Sequence, residues 1–370
     1  MTKQISGFDL HIIVREIHER LENAKVDKIF QASSEEFYIR FFKTGFGKST
    51  LRIALPSLTY LTSVRMPSPL HPKGFCMQLR KEIGAGRVIS FEQRQLERIV
   101  ECWFETRNGK RALILELFGK GNLILIDESY TILGAWTYKV WRDRTIKPKD
   151  TYAAPPMRPN PSGMDFETFS GLFQGSQKTV VKTLAVQCGL GGVYAEETCL
   201  RAGVDKDLTD ISDEQVRSLY DAMGPLFSEQ IEAYSVEKDD QVDVIPFPMK
   251  LFEDRQHTPY QSFNDALDAL YAPTLQNVQQ SKGSKKRRRL EKIKESQEQL
   301  LEQAHQGIKR NEMAAETIYS HYQEIAWLLE QVRLGQESRS WDEIREKVEQ
   351  VPFVKKFDLS TKKLILDFDQ

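Results

Sequence analysis

Residues 97–127 read ERIVECWFETRNGKRALILELFGKGNLILID, and this stretch decides the fold. Arg98 to Thr106, Arg111 to Leu117 and Asn122 to Asp127 are strand-length runs dense in Ile, Val, Leu and aromatic residues. Asn108-Gly109 separates the first two and is the pair that a tight hairpin turn prefers. Gly119-Lys120-Gly121 separates the second and third. Lying between strand and strand, that GxG lacks the helix N-terminus that would let it cradle a phosphate, so it reads as a turn. With Val88 to Gln93 ahead of them, the runs predict an antiparallel meander packed on helices.

On the N-terminal side, Leu10, Ile13, Val14, Ile17 and Leu21 recur at helical spacing and predict an amphipathic helix over Phe8 to Asn23. Asp9 stands at its beginning, where the helix dipole favours an anion, and so reads as a cap. Strand-like runs follow at Lys25 to Gln31, Glu36 to Phe42 and Ser49 to Ala54. After a loop punctuated by Pro67, Pro69 and Pro72, a second helix, Phe75 to Ile83, is stopped by Gly84 and Gly86. Tyr152 to Pro161 (YAAPPMRPNP) is too stiff to join regular structure, which places a domain boundary just beyond it and the first domain at 1–165.

Residues 166–240 form a second, helical domain. Within it, Leu184 to Glu197 (LAVQCGLGGVYAEE) reads as helix, glycine turn, helix, a helix-hairpin-helix signal. Gly189, Gly191 and Gly192 permit positive φ and leave backbone N–H groups free at a helix start, a geometry that can hold a phosphate. The same turn also serves simply to connect helices, and Glu196 and Glu197 close behind it weigh against an anion. Residues 241–280, with Val244 to Tyr271 at their centre, read as a return strand, a turn and a short helix packing on the head.

From Lys282 the chain becomes highly charged, and Leu290, Ile293, Leu300, Ala304, Ala314, Ile318, Ile325, Leu328 and Val332 fall on one narrow helical stripe. A single helix from Lys285 to Val332 would run roughly 70 Å, with a seam too narrow for a globular core. It needs a partner helix, so 281–335 is read as the first limb of a coiled coil and 336–370 as a partial tip domain. The latter holds a short helix, Trp341 to Val348, and a hairpin over Phe353 to Phe368. No returning limb follows, so the chain is expected to stop inside an arm whose second limb lies beyond Gln370. Any homodimer formed through this helix is then expected to be a truncation effect. The basic run Lys285 to Arg289 is either a solvated face or a phosphate contact through Arg287 and Arg288.

Bulk composition narrows the function. The 370 residues carry 52 Lys and Arg against 53 Asp and Glu, a net charge of -1, so no global cationic field attracts nucleic acid or anionic lipid, and any such binding needs local patches. No apolar stretch reaches membrane length and no secretory leader opens the chain, which predicts a soluble, cytoplasmic protein without a membrane partner. Cys76, Cys102, Cys188 and Cys199 form no CxxC pair and read as reduced core thiols. The histidines are scattered, the chain has no Walker or dinucleotide loop, and no nucleophile sits beside a base; neither metal nor cofactor is expected.

Several motifs, in order, resemble the NFACT family: Gly7-Phe8-Asp9; Phe75-Cys76-Met77-Gln78-Leu79-Arg80-Lys81; Glu97-Arg98-Ile99-Val100; Glu116 to Asn122; Tyr152 with Pro155-Pro156; and Leu190 to Glu197. The resemblance implies an α+β fold: a head of antiparallel strands and helices related to MutM-type DNA glycosylases, a helix-hairpin-helix domain, then half of a coiled-coil arm with a small tip domain, without the NFACT-R domain. It also implies a ribosome quality-control factor that binds obstructed large ribosomal subunits, through their rRNA, carrying peptidyl-tRNA. Such a factor recruits tRNA and supports untemplated alanine tailing of the stalled chain. The ribosome would perform the peptidyl transfer, so the chain itself is not expected to be an enzyme.

In that family an Asp near the first helix and an Asp-Arg pair handle tRNA, which carries over to Asp9 and to Glu97 and Arg98. Glutamate at 97 departs from the pattern; it keeps the charge but moves it one methylene outward. From the residues alone, without the resemblance, Glu97 and Arg98 read first as a strand-edge ion pair. The competing function is a nucleic-acid-binding or DNA-repair protein of MutM-like fold without the ribosomal role. Glycosylases of that type use an N-terminal proline amine and zinc-finger cysteines, whereas this chain begins Met1-Thr2-Lys3-Gln4. Surface adhesion, a third reading, would call for secretion signals or repeats, and the sequence has neither.

Overall fold

The computed structural model describes residues 4–66, 74–142, 144–238 and 241–368; the side chains of 277–286 and 289 also lie outside the description. The loop at Pro67, Pro69 and Pro72 falls outside these residues, and within the basic run only Arg287 and Arg288 have described side chains. The chain divides into two compact units, Met1–Gln280 and Ser281–Gln370.

The first unit is built on one nine-stranded antiparallel sheet. Helix α1 (Gly7–Leu21) leads into β1 (Lys25–Gln31), β2 (Glu36–Lys43), β3 (Gly47–Ala54) and β4 (Leu58–Thr62). Helix α2 (Gly74–Ile83) precedes the second run, β5 (Arg87–Gln93), β6 (Ile99–Thr106), β7 (Gly109–Glu116), β8 (Asn122–Asp127) and β9 (Ile132–Ala135). The two meanders join edge to edge where Lys25 of β1 faces Arg87 of β5, giving the order β4-β3-β2-β1-β5-β6-β7-β8-β9. Residues 97–127 therefore supply the three central strands of the second meander, with Ile114 opposite Ile124 and Glu101 opposite Ile114.

The unbroken apolar runs of β7 and β8 follow from burial on both faces. Leu113, Leu115, Leu123 and Leu125 point into the main core with α1, while Ala112, Ile114, Ile124 and Ile126 point the other way into a smaller core closed by Ile132, Ile146 and Tyr152. The chain over that second face carries a short ribbon, β10 (Lys139–Val140) with β11 (Thr145–Ile146). One carboxylate anchors it to the sheet: Glu116 accepts hydrogen bonds from Arg144 at 2.8 Å and from the Tyr152 hydroxyl at 3.0 Å. Glu101 ties the sheet to its own turns, accepting from Trp103 at 3.0 Å and Tyr130 at 3.1 Å and pairing with Arg94.

Four short helices follow: α3 (Phe166–Gly171), α4 (Val180–Lys182), α5 (Gly192–Ala202) and α6 (Asp213–Met223). Ahead of the glycine turn the backbone is a π-turn, Thr183–Gln187, rather than the regular helix the sequence pattern predicts. A three-stranded sheet of β12 (Tyr234–Lys238), β13 (Gln241–Ile245) and β14 (Gln256–Pro259) comes next.

The expected short return helix is instead the beginning of the long one. Helix α7 runs from Phe263 to Ser320 through Pro273, and the break comes at His321, before α8 (Tyr322–Gln336). The start of α7 is fixed by Glu16, which accepts from the Phe263 and Asn264 amides at 2.8 and 2.9 Å, and by Asp268, which accepts from Thr62 and Ser63 of the head. Phe263, Ala266 and Leu267 are buried there.

In the second unit, α8, α9 (Trp341–Val348) and the hairpin of β15 (Val354–Asp358) and β16 (Lys363–Leu366) close a small core around Leu328, Val332, Ile344 and Phe357. Earlier members of the same apolar stripe, Leu290, Ile293, Leu300 and Ile318, are exposed. No helix of the described residues is long and apolar enough to cross a membrane.

Candidate functional site

Ser6 and Asp9 close the first turn of α1 as a capping box: the Asp9 amide donates to Ser6 Oγ at 3.0 Å, and Asp9 Oδ2 accepts from the Ser6 amide and hydroxyl at 2.8 Å each. Its other oxygen, Oδ1, accepts from the hydroxyl of Tyr194 on α5 at 2.7 Å. Tyr194 is fully buried, its ring 4.2 Å from that of Phe8, and burial followed by the Asp9 charge holds its hydroxyl protonated far above the usual range. Asp9 is thus the joint between α1 and α5.

Glycines let three backbones meet at this joint. A Cβ on Gly7 would stand 2.0 Å from the Leu96 carbonyl oxygen and 3.2 Å from that of Gly189. Gly191 has φ +81°, and a Cβ there would lie 2.7 Å from the Ser6 Cβ; Gly189 has φ +72°. Gly191 is the N-cap of α5 and offers no side-chain cap, so the positive end of that helix opens beside Gly192 and Val193.

The turn between β5 and β6 supplies the charges. Glu97 is held by Arg158, Nε donating to Oε1 at 2.7 Å and Nη2 to Oε2 at 2.6 Å, while Nη1 of the same guanidinium donates to the Val186 carbonyl at 2.8 Å. Burial pushes the Glu97 carboxyl up, but the Arg158 hydrogen bonds and charge outweigh it and leave it below the ordinary carboxylate range. Arg98, next in sequence, is half-buried, and its guanidinium has no hydrogen-bond or ion-pair partner among the described residues. Burial, and then the neighbouring Arg158 charge, lower its pKa, with Glu97 opposing. Its positive charge is under-compensated.

These elements surround a cavity of about 420 Å³. Asp9, Arg98, Gly189, Gly191 and Gly192 all line it, so most of the residues singled out in sequence converge although they lie as far apart as 9 and 192. Glu97 is not in the wall; it acts through Arg158, which is. Phe252, Phe263, Leu267 and Tyr271 form the apolar side. Arg287 and Arg288 belong to the second unit, both exposed, with Arg287 paired to Glu291 at 3.1 Å. Sequence reasoning missed Arg158 and Tyr194. Arg158 lies inside the proline-rich passage read as a boundary, and a lone arginine amid four prolines was the available signal. The guanidinium and the open helix N-terminus are groups that attract an anion, the Asp9 and Asp243 carboxylates on the same wall oppose one, and the apolar side suits a planar or aliphatic group. Among the described residues no cluster of His, Cys, Asp or Glu could hold a metal ion.

Comparison with known proteins gives a consistent relationship. The family model for NFACT N-terminal and middle domains matches residues 6–360. The archaeal Rqc2 homolog aRqcH of Methanocaldococcus jannaschii is 32% identical over 365 residues, covering 94% of this chain and 54% of that protein. The ribosome quality control complex subunit NEMF of Homo sapiens is 22% identical over 381 residues, 93% of this chain and 35% of that one. The chain therefore spans about half or less of the length of these relatives. Among solved structures, the N-terminal part of the fibronectin/fibrinogen-binding protein of Streptococcus suis superimposes with a TM-score of 0.59 at 24% identity, over 73% of this chain and 100% of that one. The fibrinogen binding protein of Staphylococcus aureus does so with 0.60 at 22% identity, over 72% and 98%. At these identities the likeness speaks for the fold.

Proposed function

The chain belongs to the NFACT family, and on that membership we propose that it is a ribosome quality-control factor that binds obstructed large ribosomal subunits carrying peptidyl-tRNA and recruits tRNA. In this reading it supports untemplated alanine tailing while the ribosome performs the peptidyl transfer. RNA is engaged at the cavity between α1, the glycine turn and α7: Arg98 pairs with a phosphate or a base edge, and the N-terminus of α5 at Gly191 and Gly192 receives a second anionic oxygen. Asp9 and Glu97 act by position, Asp9 by fixing α1 on α5 and Glu97 by fixing Arg158 on the turn. The two exposed arginines of the second unit, Arg287 and Arg288, add phosphate contacts of their own.

The observation that carries this reading is Arg98: a half-buried guanidinium on a cavity wall, with no described partner, in a chain with no net cationic character. The test is affinity capture of the tagged chain from cells, with recovery of large-subunit rRNA and tRNA. Arg98→Ala should reduce recovery by about tenfold while melting like the parent, since one charged contact to nucleic acid is worth roughly 1–3 kcal/mol. Equal recovery with the variant would remove Arg98 from the mechanism, and turnover of abasic DNA by the purified chain would redirect the reading to repair.

A further inference from the structure

On the opposite face of the sheet from α1, a groove of about 860 Å³ runs between the β7–β8 turn and the β10–β11 ribbon, lined by Phe118, Lys120, Lys139, Trp141, Arg144 and the pair Pro155-Pro156. No residue of this groove belongs to the cavity described above. We propose that it is a separate binding surface for single-stranded RNA, on which a base stacks against Trp141 while Lys120 and Lys139 hold the flanking phosphates.

The composition of the segment is the first ground. Residues 136–149 (WTYKVWRDRTIKPK) carry Lys139, Arg142, Arg144, Lys147 and Lys149 against the single carboxylate of Asp143, in a chain whose total charge is -1. Interleaved with these cations are aromatic side chains that the fold leaves outside: Trp141 is 44% exposed and Tyr138 50%. A folded chain ordinarily buries an indole. One held in the open among cations matches a polymer that offers π-faces and regularly spaced negative charges.

Preorganisation is the second ground. Trp141 does not dangle: its amide donates to the Arg144 carbonyl at 2.9 Å, and the Arg144 guanidinium sits 4.8 Å from its ring centroid. That guanidinium is itself pinned by the buried Glu116. Lys139 stands two residues before Trp141, its Nζ 5.5 Å from the ring centroid. Lys120 is exposed on the glycine turn across the groove, and neither lysine has a carboxylate partner among the described residues. Charge and stacking face are thus fixed in register by the two elements that flank the groove.

The test uses the whole chain and a fluorescein-labelled twelve-nucleotide oligoadenylate, read by anisotropy and by quenching of tryptophan emission. Trp141→Ala should weaken binding by roughly tenfold, the usual loss when one stacking platform is removed, and abolish most of the quenching. Trp141→Phe, which keeps a π-face, should stay within about threefold of the parent. Lys120→Glu with Lys139→Glu should weaken binding and flatten its dependence on salt. Parent-like affinity of the alanine and charge-reversed variants overturns the proposal, as does equal preference for duplex RNA, or quenching of Trp141 by a proline-rich peptide and not by the oligonucleotide. The outcomes stay separable from those for the cavity. Loss with Arg98→Ala and none with Trp141→Ala defeats this surface alone, whereas Trp141-dependent binding with no ribosomal recovery defeats only the cavity reading.

Discussion

Arg158 grips Glu97 with two parallel hydrogen bonds of 2.7 and 2.6 Å, and so the acidic member of the Glu97-Arg98 pair is spoken for by a third residue rather than by its neighbour. An ion pair between 97 and 98 would have neutralised Arg98. Arg158 takes the carboxylate instead and leaves Arg98 as the uncompensated cation on the cavity wall.

Glu97→Gln should therefore make the protein less stable at neutral pH by under about 1 kcal/mol, because Arg158 is 42% exposed and water screens the pair. The folded Glu97 carboxyl lies below its unfolded value of 4.5. Its contribution is present above that pH and is lost as pH falls through the lower, folded value. Thermal melts should separate parent and variant near pH 6 and bring them together only in acid below the ordinary glutamate range; a gap that widens in acid would contradict the pairing.

Tyr194→Phe keeps the ring against Phe8 and deletes only the hydroxyl that donates to Asp9. The expected loss is about 1–2 kcal/mol in urea unfolding. Asp9→Ala should lose more, about 2–3 kcal/mol, since it removes the capping box and also orphans the buried Tyr194 hydroxyl. If Asp9→Ala matched the parent in stability, Asp9 would have to be a ligand-binding residue rather than a positioning one.

Gly189 and Gly191 both have positive φ, but only Gly191 is also crowded. Gly189→Ala should lose about 1 kcal/mol for its backbone conformation. Gly191→Ala should lose clearly more, because the new Cβ meets Ser6 at 2.7 Å and either shifts the α1 cap or displaces α5. Chemical denaturation of the two variants side by side tests the order.

Glu116→Gln leaves Arg144, only 9% exposed, without its carboxylate. Breaking such a buried pair from one side should destabilise by about 3–5 kcal/mol. The ribbon carrying Trp141 should loosen with it, seen as faster amide exchange across Lys139 to Ile146 than in the sheet beneath.

The strands and the first helix were legible because each is written in local chemistry: Asn108-Gly109 can only turn, and Leu10 to Leu21 repeat at the helical period. The convergence of Asp9, Arg98 and the glycine turn was available from sequence only through the order of motifs, since nothing local indicates that Ser6 will touch Gly191. The beginning of α7 was hidden for a related reason. Its first turns are buried and its later ones exposed, so no single apolar stripe runs through Pro273 to reveal one continuous helix.

By itself the sequence determined the hairpins, the helix caps, the near-zero net charge and the family, because turn-forming pairs, capping residues and motif order act over a few positions at a time. Tertiary structure alone decided who partners whom. A carboxylate at 97 can pair with any guanidinium the fold delivers, and it is the course of a proline-rich segment over the sheet, not the adjacent residue, that delivers Arg158 and leaves Arg98 open to a ligand.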